Sequence, residues 1–121
     1  MSDRFLLPET VAHQDGVGAE LTLDRSVPLL LTLSIHRIVE HESLEVSVWG
    51  SKDGRAWRPL TSFPQKSYCG VYSMELDLTS HPDIRMLRAQ WRMGRWTHSQ
   101  KPLFGFDLLV EELKMQHAGA A

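Results

Sequence analysis

Leu44-Glu45-Val46-Ser47-Val48-Trp49-Gly50-Ser51-Lys52-Asp53-Gly54-Arg55-Ala56-Trp57 decides the fold class. Leu44, Val46 and Val48 alternate with Glu45, Ser47 and Trp49, so the two sets project to opposite faces of a strand; a helix would not sort them in this way. Asp53-Gly54 then supplies a reversal, because both residues tolerate the backbone conformations that a tight turn needs. Trp57 returns on the partner strand, where its large ring is expected to pack as a core residue and cap one end of the interior. The stretch predicts a β-hairpin with one apolar face.

Strand-like segments recur on either side of this hairpin, near 19–25, 28–39, 43–50, 56–62, 69–78, 84–93 and 103–112, most of them separated by turn signals. Tyr72, Met74, Leu76 and Leu78 alternate with Val71, Ser73, Glu75 and Asp77. Leu87, Ala89, Trp91 and Met93 alternate with Arg88, Gln90 and Arg92, and Phe104, Phe106, Leu108 and Val110 form a fourth apolar set. Strands that are apolar on one side need another sheet to cover them, which two sheets packed face to face provide. Leu29 to Ile35 is partly apolar on both faces through Leu30 and is expected in the middle of a sheet. Residues 107–115 also fit a short helix, but the Phe104/Phe106 alternation leading into them favours a strand. The fold class expected is an all-β, single-domain antiparallel sandwich.

The 121 residues suffice for one domain with its own core. Residues 1–17 show no sustained period and read as an irregular arm, 18–113 as the sandwich, and 114–121 as a mobile tail. A formal charge of −2 excludes a global attraction to nucleic acid or anionic lipid. Cys69 is the only cysteine, so no internal disulfide forms, as suits a reducing compartment. The apolar run near the N-terminus is too short for a signal-peptide core, and that of Pro28 to Leu31 is too short to span a bilayer. A soluble protein is expected, cytoplasmic or built into a phage-like particle.

Readable signatures of catalysis are missing: there is no Gly-x-Ser-x-Gly elbow, no phosphate loop beyond the short Gly16-Val17-Gly18 cluster, and no zinc spacing. His36 and His41, with Glu40 and Glu42, do not have a diagnostic metal spacing, and Cys69 reads as a small packing residue. No metal, cofactor or catalytic residue is therefore assigned. Arg85, Arg88, Arg92, Arg95 and Lys101 make one strand and its loop basic, with Trp91 and Trp96 interleaved. Arg88 and Arg92 share a face and are expected to pair with Glu75 and Asp77 on the preceding strand, which argues against a nucleic-acid surface. Trp49 and Trp96 are the candidate exposed aromatics. With Arg88 and Arg92 they make up the candidate binding residues, while Asp53, Gly54, Trp57 and Trp91 are assigned to the hairpin and core.

The run Leu44-x-Val46-x-Val48-x-x-Ser51-x-Asp53-Gly54-x-x-Trp57, followed by Phe63, by Ile84-Arg85-Met86-Leu87-Arg88-Ala89-x-Trp91 and by Phe104-x-Phe106, resembles small β-sandwich proteins encoded among phage and prophage structural genes, over roughly residues 19–112. The Ser-x-Asp-Gly-x-x-Trp hairpin with a later Arg-rich strand is also similar to discoidin-like and other galactose-binding-like sandwiches, although the two terminal cysteines that often close discoidin domains are missing. Both resemblances imply a jelly-roll sandwich of about seven to eight strands. The first implies a non-catalytic structural or assembly module that works through a protein partner or self-association. The second implies a carbohydrate-binding module whose sugar would stack on Trp49, Trp57 or Trp96.

Overall fold

The computed structural model describes residues 4–38, 42–95 and 103–113. The strands are β1 (Arg4–Ala12), β2 (Gly16–Val17), β3 (Leu21–Thr22), β4 (Pro28–Ile38), β5 (Glu42–Ser51), β6 (Trp57–Ser62), β7 (Gly70–Asp77), β8 (Met86–Arg95) and β9 (Phe104–Glu112). Every segment expected to be a strand contains one, and Asp107–Glu112 is strand rather than helix. Among the described residues no helix is long and apolar enough to cross a membrane.

The strands form two antiparallel sheets. One runs β1-β9-β4-β7; the other runs β2-β8-β5-β6, with β3 pairing further along β8. If β2 and β3 are taken as two pieces of one edge strand, this is the strand order of a jelly roll, in which each chain crossing between sheets returns beside an earlier strand. Leu29, Leu31, Leu33 and Ile35 of β4, and Phe104, Phe106, Leu108 and Val110 of β9, face Leu44, Val46 and Val48 of β5 and Leu87 and Ala89 of β8 across a fully buried interior. The period-two sets read from the sequence are the inner faces of these strands. Strand β4 lies between β9 and β7, as its apolar outer residue Leu30 suggested.

Residues 4–12, expected within an irregular arm, instead form β1, which pairs with β9 from Arg4↔Val110 to Ala12↔Phe104 and buries Leu6, Leu7 and Ala12. Register shifts between Phe5 and Leu7 and between Leu7 and Thr10 put two consecutive leucines into the core. The alternation that marks a strand in sequence is lost there. Gly16 and Val17 likewise belong to the second sheet, as β2. The tail 114–121 lies outside the described residues.

The central hairpin forms as read, with a loop of five residues, 52–56, between β5 and β6. Gly54 has φ +80°, and the Ser51 hydroxyl accepts its N–H at 2.8 Å. A Cβ at Gly54 would also lie 3.1 Å from the Met86 sulfur. Gly54→Ala is expected to destabilise the fold by about 1–2 kcal/mol, read as a lower urea midpoint at unchanged slope.

The Asp53 carboxylate accepts the N–H groups of Arg55 at 2.8 Å and Ala56 at 3.1 Å. These amides hold its pKa below the ordinary aspartate value of 3.8. Because the folded-state pKa is lowered, this stabilisation is present above the unfolded value and fades as the pH falls through the folded one. Asp53→Asn keeps an acceptor without the titration. Its melting temperature should therefore depend less on pH than the wild type's as the pH falls below the ordinary aspartate value of 3.8; equal slopes would count against the loop carboxylate.

Candidate functional site

The unbroken register of β5 against β8 lines up their outward side chains in three cross-strand pairs, Glu45↔Arg92, Ser47↔Gln90 and Trp49↔Arg88. Strand β6 adds Ser62 opposite Ser47 and Trp57 opposite Ser51. The outer face of the five-stranded sheet therefore carries two indoles, two guanidiniums and several short polar groups.

The Arg88 guanidinium lies over the Trp57 ring at 4.2 Å from its centroid, and its Nε is buried without a hydrogen-bond partner among the described residues. Trp57 Nε1 donates to the Gly54 carbonyl at 3.3 Å, which holds the ring against the hairpin loop. Trp49 Nε1 donates to the Ser47 hydroxyl at 2.9 Å, so that indole also has a fixed tilt. Arg92 meets Glu45 at 3.3 Å in an exposed pair, worth about 0–1 kcal/mol.

Beside these groups is an open hollow of ≈ 670 Å³, with Ser47, Trp49 and Ser62 toward one side and Asp15, Val17 and Arg92 toward the other. Its rim is pinned to β8. Trp91 Nε1 donates to the Gln14 carbonyl at 2.9 Å, and Asp15 accepts the Met93 N–H at 2.8 Å. Gly16 lies so close to the Trp91 ring that an added Cβ would overlap it. Trp91 packs its other side edge-on to Phe106, with ring centroids 5.6 Å apart.

Trp49, Arg88 and Arg92 thus share one surface: parity turns each outward on its own strand, and the pairing of β5 with β8 brings them together. Trp91 packs against the core and reaches the rim of the hollow. Trp57 does not cap the core: it is half-buried on the outer face, because its register with Ser51 puts it on the same side as Trp49. The expected pairing of Arg88 and Arg92 with Glu75 and Asp77 does not form. Strand β7 pairs with β4 in the opposite sheet, leaving Glu45 as the partner of Arg92 and Trp57 as that of Arg88. Trp96, His41 and Lys101 lie outside the described residues. The rim residues Asp15 to Val17 were missed because they fall in a segment with no period; the Gly16-Val17-Gly18 cluster was the one available sign of a close backbone approach.

A smaller hollow of ≈ 250 Å³ lies at the hairpin end, between Asp53, Trp57 and Asp83. Arg58 holds Asp83 through two bonds of 3.0 and 3.1 Å, and its guanidinium keeps that carboxyl below the usual aspartate range. His36 lies on the other sheet, 2.7 Å from Asp107, and Cys69, expected as a packing residue, is instead exposed in the approach to β7. Among the described residues no group of three or more His, Cys, Asp and Glu side chains could hold a metal ion.

No protein-family model matches the sequence, and no curated protein matches it either. Among solved structures the chain is similar to the SPBc2 prophage-derived protein YomS, with 8% identity and a TM-score of 0.57 over 91% of this chain and 92% of that one. It is similar at the same TM-score of 0.57 and 8% identity to a chain in the structure of infectious bursal disease virus, Gx strain, over 90% of this chain and 31% of that one. A cleaved adhesin domain of Lys-gingipain from Porphyromonas gingivalis matches at a TM-score of 0.50 and 11% identity, over 79% of this chain and 62% of that one. At such identities the likeness is one of fold.

Proposed function

We propose that this chain is a non-catalytic assembly module, of the kind found among phage and prophage structural proteins, that self-associates and presents the outer face of its five-stranded sheet to another protein. The observation that carries this reading is the gathering of Trp49, Trp57, Arg88 and Arg92 on adjacent strands of that face. Tryptophan and arginine are the side chains most enriched at the energetic centres of protein interfaces. A guanidinium already seated on an indole gives a docking protein a preformed flat surface that is both apolar and cationic. The fold shared with a prophage-derived protein and a virus structure supports the same reading.

Light scattering coupled to size exclusion over a concentration series tests it. The expected result is a mass above that of the 13.8 kDa chain that rises with concentration. A strict monomer at every concentration would remove self-assembly.

A carbohydrate-binding role is the second reading, favoured by the placing of Trp49 among Ser47, Ser62 and Gln90 at an open hollow, where a sugar ring would stack on the indole and bond to the polar groups. Titration of intrinsic fluorescence with neutral oligosaccharides, with Trp49→Ala as the control, separates the two. Saturable quenching that the substitution abolishes would favour the sugar.

A further inference from the structure

We infer that two copies of this chain join edge to edge through β7, antiparallel about a two-fold axis at Ser73, so that their β1-β9-β4-β7 sheets become one continuous sheet. The inference rests on the reading of the protein as a self-associating module and names the surface that does it.

The edges of the two sheets are not equally open. Strand β1 carries Pro8 and two register shifts, and β6 carries Pro59 and one. Strands β2 and β3 are two residues each. Proline, bulges and shortness all prevent a sheet edge from accepting another strand. Strand β7 has none of these: its eight residues pair with β4 without a shift, from Pro28↔Asp77 to Ile35↔Gly70, and among the described residues nothing pairs with its other side.

The direction of its backbone groups follows from β4. Leu113 N–H donates to the Pro28 carbonyl at 2.9 Å, so even-numbered β4 residues point their backbone groups at β9 and odd-numbered ones at β7. The bonded partners of Leu29, Leu31, Leu33 and Ile35 are Leu76, Met74, Tyr72 and Gly70. Val71, Ser73 and Glu75 therefore aim their N–H and C=O groups outward, away from the sheet. An edge of this length leaves a row of donors and acceptors whose matching complement is a second antiparallel strand.

Charge favours this register over the one centred on Glu75. Centred on Ser73, the pairing places Val71 of one copy opposite Glu75 of the other, and no acidic side chain faces another. Moving the centre to Glu75 would set that carboxylate against its own copy, which cross-strand repulsion disfavours. The exposed Val71, 70% accessible, would be covered by the neighbouring strand's Glu75 stem.

Ser73→Pro removes one outward N–H at the two-fold centre and leaves the backbone bonds to β4 intact, because that N–H does not point at β4; the 3.4 Å hydroxyl contact with Thr32 is lost equally in Ser73→Ala. Light scattering should find its dimer dissociation constant raised at least about tenfold, while Ser73→Ala, which keeps the N–H, stays within about threefold of the wild type. A dimer that Ser73→Pro leaves unchanged overturns the β7 interface but not self-association; a wild type that stays monomeric overturns both. If Ser73→Pro fails to fold, the pair Cys69→Ser with Ser73→Cys decides the matter. Residues opposite each other at this centre have Cα atoms about 5.5 Å apart, within disulfide reach, so mild oxidation should link the two copies. No linkage at concentrations where the wild type is dimeric would overturn the proposal.

Discussion

Removal of residues 1–12 is expected to leave a chain with no cooperative unfolding transition at 25 °C. Leu6 and Leu7 are 2% and 4% accessible in the folded chain, and burial of each contributes about 1.5–3 kcal/mol. Their combined loss, about 3–6 kcal/mol, is comparable with the whole stability of an ordinary domain, about 5–15 kcal/mol. The deletion also strips β9 of its outer neighbour and turns the strand bearing Phe104, Phe106, Leu108 and Val110 into a bare edge. Circular dichroism through a urea titration measures this. A truncated chain with the wild-type midpoint would mean that Arg4–Ala12 contributes nothing to the sheet, as an irregular arm would. Phe5→Ala is the matched control, since that side chain is 52% exposed and its loss should cost only about 1 kcal/mol, well below the truncation.

Phe106→Ala is expected to destabilise the fold by about 3–5 kcal/mol, because the ring is fully buried at the centre of β9 and its removal leaves a cavity that packed neighbours fill only in part. Part of that loss is specific to geometry. The ring meets Trp91 edge-on at 75°, an arrangement worth about 0.5–1.5 kcal/mol beyond the area buried. Trp91 in turn holds the Gln14 carbonyl and lies against Gly16, so the same substitution should loosen the rim of the hollow. Urea denaturation reads the first effect, and amide hydrogen exchange at Gly16 and Val17 the second. A loss below about 1 kcal/mol would show that the two sheets do not meet at this ring. Faster exchange at the rim at unchanged global stability would separate the packing of Trp91 from the core as a whole.

The two expectations differ in how far the sequence could have led to them. Phe106 belongs to an alternating run, and its place in the core was readable because a strand sends successive side chains to opposite faces whatever its neighbours are. The same rule put Trp49, Arg88 and Arg92 on outward faces, and Asp53-Gly54 declared its turn through local chemistry alone. Nothing in residues 4–12 announced a strand, because bulges around Pro8 set Leu6 and Leu7 side by side in the core and erased the period.

Beyond residues 1–17, local periodicity therefore determined where the strands lie and which face of each is apolar, since both follow from backbone geometry within a few residues. Tertiary structure alone decided which strands are neighbours. Strands β7 and β8 are consecutive in the chain yet lie in different sheets, so Glu75 and Asp77 do not share a sheet with Arg88 and Arg92, and Trp57 meets Arg88 on an outer face instead of sealing the core. The physical reason is that pairing in a jelly roll joins residues distant in sequence. Which edges meet is fixed by how two sheets close over one interior, and no short stretch of chain carries that information.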